Sequence, residues 1–221
     1  MPVDTAQLAQ IIFELGNVAA QQGDLPKALA LYQEALSAAE SDESDLAVPQ
    51  RILAHNNLAY HLHLLEPLNP QALEHAHLGL RLAQAKGVLG LQTFLLSTLG
   101  EIALAHGDLE AAEKYFADGL ALAEQLSIPE RIAGLTANLG LVAVQRGQTA
   151  LAVHRLSTAL ARADGLGARH LAGQIRLWLV PLLPPAEARA SLAEARAIAE
   201  SGGRRRLLEE VSRLEEQLGF C

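Results

Sequence analysis

The chain has 221 residues, of which 50% are hydrophobic and only 4% are aromatic, and its formal net charge at pH 7 is −8. This charge excludes a non-specific nucleic-acid surface, since such a surface needs clustered Lys and Arg to displace counterions from phosphate. Ala and Leu supply most of the apolar surface, and neither residue loses much side-chain freedom in a helix. The residues that favour strands are sparse. The composition therefore predicts an all-α protein.

The N-terminal residues give no sign of membrane targeting. The segment MPVDTAQLAQ lacks the positively charged region and the continuous apolar core of a signal peptide. No stretch of about 18 apolar residues runs without polar interruption, so no membrane span is predicted. The single cysteine, Cys221, has no second cysteine with which to form an internal disulfide or a metal site. We therefore expect a cytoplasmic location and no membrane partner.

Three segments of the chain align without gaps on a Leu-Gly pair that is followed, after a fixed interval, by a second glycine. The glycines are Gly16 and Gly23, Gly100 and Gly107, and Gly140 and Gly147. Each segment continues with a small, a bulky and another small residue at matching positions. These residues are Ala28, Tyr32 and Ala35; Ala112, Phe116 and Gly119; and Ala152, Leu156 and Ala159. Gly100 and Gly140 are 40 residues apart, and self-similarity at a period of this size indicates a stack of helical hairpins.

Two further copies complete the series. Between the first two glycine-bearing segments, Asn57-Leu58-Ala59 stands at the Leu-Gly position, and the turn that follows is one residue longer. Its second-helix positions hold Ala72, Ala76 and Gly79, and a degenerate fifth copy holds Ala188, Leu192 and Ala195. The small residues allow two antiparallel helices to approach closely. We expect the bulky Tyr32 and Phe116 to fill the gap between one hairpin and the next.

In chain order these patterns predict five helix pairs and a final helix. The pairs are 5–21 with 25–40, 49–65 with 70–86, 89–105 with 109–126, 130–146 with 149–164, and 168–181 with 185–201; the final helix is 204–218. Gly23-Asp24, Gly107-Asp108 and Asn69-Pro70 supply turns, because Gly reaches a positive φ and Asp or Asn caps the next helix. The acidic segment 41–45 is expected to be a loop. Pro181, Pro184 and Pro185 end the first helix of the fifth pair.

The positions just named resemble the signature of the tetratricopeptide repeat family. The spacing near 40 residues is similar to the long-repeat variant of kinesin light chains and of the sensor arrays of bacterial signalling ATPases (the STAND type) and transcription activators. The resemblance implies a right-handed superhelical solenoid of about five antiparallel hairpins. The implied repeats are 5–41, 48–87, 88–127, 129–165 and 168–201, within an array over 1–201.

Residues 202–221 are predicted to form a capping helix on this array. Leu207, Leu208, Val211, Leu214 and Leu218 make one apolar stripe, with charged residues on the opposite face. Solenoids need a polar outer face on their terminal element, which favours a cap. The alternative is a helix that dimerises or docks on a partner.

Catalytic and metal-binding patterns are absent from the sequence. It holds no Gly-rich phosphate loop, no GxSxG, no HExxH and no second cysteine. Five of the eight histidines lie in the second hairpin, at His55, His61, His63, His75 and His77. No two of these are three or four residues apart on one helix, as helical metal ligands usually are. We therefore predict no enzyme activity and no cofactor, and interpret the histidines as packing or solvated residues, with a weak zinc or pH-sensitive site as the alternative.

The family resemblance places binding on the first helix of each pair, which lines the concave wall of the solenoid. Exposed first-helix positions give the candidate peptide-binding residues Gln10, Asn17, Gln21, Asn56, Asn57, Tyr60, His63, Ser97, Thr98, Glu101, Asn138 and Gln145. In related long-repeat arrays, asparagines just before the Leu-Gly position hold the backbone of an extended peptide. Amide side chains suit this role because each offers donors and an acceptor. The alternative is that they bond neighbouring helices to one another.

The charges of the first helices restrict the expected partner. The first helices of repeats one and three contain no Lys or Arg, so a clamp for the terminal carboxylate of a chaperone tail is not expected. A neutral or basic peptide or protein fits better. We expect an interaction scaffold, which is either a free adaptor or a part of a larger protein. The second alternative is suggested by Asp4, which begins a full repeat at once. A ligand- or protein-sensing arm of a STAND-type ATPase or activator is the alternative, and self-association is a further expectation because exposed apolar patches mark interfaces.

Overall fold

The structure, a computed structural model, describes residues 5–42 and 44–219. In this part of the chain there are eleven α-helices, two 3₁₀ turns and no strand. The α-helices are α1 (Thr5–Gln21), α2 (Leu25–Glu40), α3 (Val48–Leu65), α4 (Pro70–Ala85), α5 (Leu89–Ala105), α6 (Leu109–Gln125), α7 (Pro129–Gln145), α8 (Thr149–Gly165), α9 (Arg169–Leu179), α10 (Pro185–Ser201) and α11 (Arg205–Leu218). The 3₁₀ turns are Asp45–Ala47 and Val180–Leu182. The all-α hairpin fold is confirmed.

The predicted helix bounds agree with the structure to within one residue, apart from the end of α9. That helix stops at Leu179, two residues before the predicted end, and the chain continues as the 3₁₀ turn that contains Pro181. Three residues that entered the sequence-based predictions, Asp4, Glu43 and Cys221, lie outside the described residues. None of the described helices is both long enough and apolar enough to cross a membrane.

The chain divides into two compact units, Met1–Leu122 and Ala123–Cys221, with the boundary inside α6. In the first unit, α1 pairs with α2 and α3 pairs with α4, while α2 packs on α3 and α4 packs on α5. The first helices of successive hairpins also touch, since α1 contacts α3 and α3 contacts α5. In the second unit, α7 pairs with α8, and α8, α9, α10 and α11 pack in succession.

Turn chemistry explains where the helices begin. Asp24 caps α2 by accepting a hydrogen bond from the backbone N–H of Lys27, and Asn69 caps α4 through the backbone N–H of Gln71. The preceding turn of the first hairpin holds Gly23 at φ 83°, a left-handed conformation that costs other residues energy. These signals are local, because each depends only on residues in the turn and in the first turn of the helix that follows.

Close contact inside the hairpins depends on glycine. A Cβ atom added at Gly16 would lie 2.6 Å from Cε1 of Tyr32, and a Cβ at Gly100 would overlap the ring of Phe116. Both rings are fully buried. The expectation that these rings fill the gap between hairpins was therefore incomplete, because each ring packs on the glycine of its own hairpin. The Tyr32 ring also contacts the next hairpin, since its centroid lies 5.2 Å from that of His61.

The last helix packs inward along its apolar stripe. Leu207 and Val211 are buried in a cluster with Leu192 and Ala195 of α10, with Leu208 and Leu214 packed against it. Leu218 is exposed. The opposite face of α11 carries exposed charged residues, namely Arg205, Arg206, Glu209, Arg213 and Glu216.

Candidate functional site

A chain of side-chain hydrogen bonds joins the first helices of the first unit. Asn57 Nδ2 on α3 donates to Asn17 Oδ1 on α1 at 3.0 Å, and Tyr32 Oη on α2 donates to the same oxygen at 2.9 Å. Asn56 Nδ2 donates to Asn57 Oδ1 at 3.3 Å. Thr98 Oγ1 on α5 donates to Asn56 Oδ1 at 3.0 Å. We call Asn17, Asn56, Asn57 and Thr98 the amide ladder.

The repeat register explains why these residues meet. Asn17 directly follows Gly16 in the first copy, whereas Asn57 directly precedes Leu58 in the second. Because α1 and α3 lie side by side, the position after the small residue of one copy faces the position before the leucine of the next. Asn56, one residue earlier on α3, reaches α5 instead and bonds Thr98. The helices therefore bring together residues that are 40 and 42 positions apart in the sequence.

The exposure of the ladder is graded. Asn17 and Asn57 are half-buried. Four candidates were predicted to be exposed, and this was wrong, because the exposed fractions are 9% for Asn56, 8% for Ser97, 4% for Thr98 and 6% for Asn138. Asn56 is enclosed between α3 and α5 by its bond with Thr98. Ser97 turns along its own helix and donates to Glu101 Oε1 at 3.1 Å.

The other candidates lie beside the amide ladder or on helices away from it. Gln10 and Gln21 are exposed on α1, and Glu101 is half-buried on α5. Tyr60 stands edge-on to His61, with ring centroids 5.1 Å apart. His63 Nδ1 lies 3.2 Å from the carbonyl oxygen of Pro67, and burial lowers the pKa of this histidine. In the second unit, Asn138 and the exposed Gln145 lie on α7.

The side chains around the amide ladder on α1 and α5 are neutral or acidic. Glu14 Oε2 accepts a hydrogen bond of 3.1 Å from Asn17 Nδ2, which places a carboxylate beside the ladder. Burial raises the pKa of Tyr32 to about 12, so its hydroxyl stays protonated and remains a donor to Asn17. Neither α1 nor α5 contains Lys or Arg. The one such residue of α3, Arg51, donates to the backbone carbonyl oxygens of Ala39 and Asp42. The amides of the ladder can therefore donate and accept hydrogen bonds, while α1 and α5 supply no Lys or Arg to an anionic ligand.

The structure reveals a histidine pair that the sequence did not indicate. His55 Nδ1 on α3 lies 3.0 Å from His75 Nδ1 on α4, and burial, with a smaller effect of the charge on His75, lowers the pKa of His55 to about 4. Spacing within one helix gives no signal for a pair formed between two helices. Among the described residues, no group of three or more His, Cys, Asp or Glu is arranged to hold a metal ion.

The first unit also contains a cavity lined by residues of α2, α3 and α4. This cavity of about 400 Å³ opens between α2 and α4 over the side chains of Leu58 and Leu62. Glu74 and His75 contribute polar atoms to its wall. No sequence pattern indicated this cavity, because it depends on the spacing between second helices rather than on any one motif.

Comparison with known proteins agrees with this architecture. The family model described as tetratricopeptide repeat matches residues 9–42. A solved structure of a Rap protein complexed with competence and sporulation factor aligns with a TM-score of 0.76 at 15% identity, over 95% of this chain and 64% of that one. The Rap conjugation gene regulator of plasmid pLS20, in complex with the Phr* peptide, aligns with a TM-score of 0.76 at 16% identity, over 99% and 65%.

A third similar structure is a STAND protein with a tetratricopeptide repeat sensor from Pyrococcus horikoshii. It aligns with a TM-score of 0.61 at 15% identity, over 98% of this chain and 37% of that one. The chain spans just under two thirds of the length of the two Rap structures. No curated protein matches the sequence. At these identities the structural likeness establishes the fold, and the predicted resemblance to tetratricopeptide repeat proteins is confirmed.

Proposed function

We propose that this chain is a non-catalytic interaction scaffold that binds an extended peptide segment of a partner protein across the amide ladder. The observation that carries the proposal is the chain of hydrogen bonds that runs from Asn17 on α1 through Asn57 and Asn56 on α3 to Thr98 on α5. Two of the similar solved structures are complexes, one with competence and sporulation factor and one with the Phr* peptide, which supports a peptide ligand here.

The ladder suits a peptide backbone because its amides are ordered before a ligand arrives. Holding Asn17 and Asn57 in place reduces the side-chain entropy that binding would otherwise cost. An extended peptide presents alternating N–H and C=O groups, and an amide side chain can pair with either. The half-buried Asn17 and Asn57 therefore form the centre of the proposed site, with Gln10 and Gln21 at its exposed edge.

Charge sets the preferred composition of the peptide. Glu14 and Glu101 flank the ladder, and the surrounding helices α1 and α5 lack basic residues. A peptide with Lys or Arg gains a favourable interaction with these carboxylates, whereas an acidic peptide is repelled. We therefore propose a neutral to basic segment as the ligand.

Selection from a random peptide display library tests the proposal even though the partner is unidentified. Selected peptides are measured by fluorescence anisotropy against the native chain and against the double variant Asn17→Ala with Asn57→Ala. Loss of two amides at the centre of the site is expected to weaken binding on the order of tenfold or more. The matched control is Gln33→Ala with Gln71→Ala, two exposed amides on α2 and α4.

The control variant is expected to bind as the native chain does. If the ladder variant keeps full affinity while the control loses it, the ligand binds in the cavity between α2 and α4 and the proposal is wrong. A circular dichroism melting curve of each variant checks that the helices remain folded at the assay temperature.

A sensor arm of a larger signalling protein is a second candidate. The observation that favours it is the alignment of nearly the whole chain with 37% of a STAND protein that has a tetratricopeptide repeat sensor. In this role the array would bind a small ligand or a protein and act on a catalytic domain elsewhere. A library selection that yields no peptide, combined with a thermal shift produced by a small metabolite, would favour this candidate.

A further inference from the structure

One face of α1 carries an unbroken row of large apolar side chains in contact with solvent. Leu8, Ile11, Leu15 and Val18 are between 38% and 59% exposed. Their spacing of three, four and three residues places them in one line along the helix. We call these four residues the α1 seam. Single exposed leucines are ordinary, whereas a contiguous apolar row usually marks an interface.

The repeat alignment shows that the seam occupies positions at which this protein forms helix contacts. Aligned on Gly16 and Gly100, Ile11, Leu15 and Val18 correspond to Leu95, Leu99 and Ile102 of α5, which are at most 1% exposed. In α5 these residues pack against α4, through Ala72, Ala76, Leu80 and Ala83. The matching residues of α3, Ala54 and Leu58, are buried against α2. The same surface is therefore covered in α3 and α5 and open in α1.

The seam is complementary to itself. A spacing of three, four and three residues is the a and d pattern of a coiled coil, in which large side chains of one helix fit between those of another. In an antiparallel pair of α1 helices, Leu8 faces Val18 and Ile11 faces Leu15 of the other copy. The only charged residue of α1 is Glu14, so few charges need to be desolvated when two such helices meet.

The opposite end of the chain does not offer an equivalent surface. The stripe of α11 is packed on α10, and its outer face carries Arg205, Arg206, Glu209, Arg213 and Glu216. Covering this charged face with an apolar seam would strip water from these charged side chains, which is unfavourable. A second copy of the chain therefore meets the seam with its own α1 rather than with α11.

We propose that the α1 seam is a self-association interface, through which two copies of this chain pair α1 against α1. The contact is isologous, since the same four residues serve on both copies. On the helical wheel the centre of the seam lies about 120° away from the centre of the face that carries Gln10, Asn17 and Gln21. The pairing therefore uses a surface separate from the proposed peptide site, and the two proposals can fail independently.

Analytical ultracentrifugation of the full chain tests this interface. A contact one helix wide buries less than the roughly 800 Å² per partner of a standard interface, so we expect a dimer that forms in the micromolar range. The variant Ile11→Gln with Leu15→Gln is expected to dimerise at least tenfold more weakly, because two polar side chains replace the centre of the seam. The control is Leu65→Gln with Leu68→Gln, which changes two other leucines that are 50% and 62% exposed.

A native dimer that the seam variant weakens and the control does not would support the proposal. A second seam variant, Leu8→Gln with Val18→Gln, must give the same result, and far-UV circular dichroism must show native helix content for both. A native chain that stays monomeric up to millimolar concentration contradicts the proposal. The α1 seam would then be a binding surface for a helix of another protein. Equal dissociation by the control variant would also contradict it, because the interface would then not depend on α1.

Discussion

Asn17 and Tyr32 share a partly buried hydrogen bond in which the tyrosine hydroxyl donates to the amide oxygen at 2.9 Å. The same oxygen accepts a bond from Asn57 of the next hairpin at 3.0 Å. One amide therefore connects the inside of the first hairpin to its neighbour. This dual role makes Asn17 both a structural residue and the first member of the proposed binding face.

Replacing Asn17 is expected to destabilise the first unit. The change Asn17→Ala removes the acceptor of Tyr32, whose oxygen is then left in a buried setting without its partner, at a cost of about 1–2 kcal/mol in the free energy of unfolding. Urea denaturation measures this loss. In a Tyr32→Phe background the same change should cost less, because the hydroxyl is already gone. Gln10→Ala, at an exposed position of the same helix, should leave the free energy within about 0.5 kcal/mol of native. Equal costs in both backgrounds would rule out the shared bond.

Glycine substitutions should have opposite effects in two helices. Gly100→Ala places a Cβ against the buried ring of Phe116, and overpacking of this kind costs about 1–3 kcal/mol. Gly134→Ala on α7 meets no atom within 4 Å. It should therefore stabilise the protein by up to about 1 kcal/mol, because Ala loses less backbone entropy than Gly in a helix. Thermal melting of the two variants checks the signs. Two changes of the same sign would contradict the assigned packing.

The His55–His75 pair predicts a loss of stability in mild acid. The pKa of His55 is about 4 in the folded protein against an ordinary value of 6.5, so the unfolded chain binds the proton more readily. This contribution is complete above about pH 6.5 and is lost as the pH falls toward 4, amounting to about 2 kcal/mol between pH 7.5 and pH 5. Urea denaturation at these two pH values measures it for the native chain and for His55→Leu.

The variant should be less sensitive to pH by that amount, since it has no proton to take up at this position. His154→Leu, at an exposed position on α8, provides the control and should keep the native pH dependence. An unchanged pH dependence in His55→Leu would show that His55 is not responsible.

In the second unit, Arg176 on α9 bonds carboxylates on both neighbouring helices. Its Nη1 and Nη2 donate to both carboxylate oxygens of Asp164 on α8 at 3.1 and 3.0 Å, and its Nε donates to Glu194 on α10 at 2.7 Å. Both carboxylates are well exposed, so Arg176→Met should cost only about 1–2 kcal/mol in the free energy of unfolding.

Lysine should not restore that stability, because one ammonium cannot reproduce the planar fork that holds Asp164 while also bonding Glu194. Arg205→Met is the control, since its exposed pair with Glu209 should contribute less than about 0.5 kcal/mol. Full recovery by Arg176→Lys would show that charge alone, rather than geometry, accounts for the effect.

The helix order was predictable because its signals are local. Gly23, Asp24, Asn69 and Pro70 determine turns through their own backbone and side chains, so the sequence alone placed these boundaries. The fifth hairpin was also recognisable, and Ala188, Leu192 and Ala195 are buried as its pattern implied. The early end of α9 follows from Pro181, which admits a 3₁₀ turn rather than one more helical turn.

Features that join different helices were not predictable in the same way. His55 meets His75 only after α3 and α4 have packed, and Asn56 is buried only because Thr98 approaches from α5. The exposure of Ile11 and Leu15 was not predictable either, since apolar patterning cannot tell whether a covering helix is present. The repeat alignment does give a signal for one member of the amide ladder, because it singles out Asn57 directly before the leucine of the second copy. Asn138, at the matching position of the fourth copy, does not belong to the ladder.

The most direct test of the proposed function is nuclear magnetic resonance of the chain with ¹⁵N-labelled side-chain amides, titrated with a peptide taken from the display selection. We predict that the side-chain amide signals of Asn17 and Asn57 shift together with those of Gln10 and Gln21, while those of Gln33 and Gln71 stay in place. Shifts confined to Gln33 and Gln71 would contradict a binding site on the amide ladder and would place the peptide in the cavity between α2 and α4.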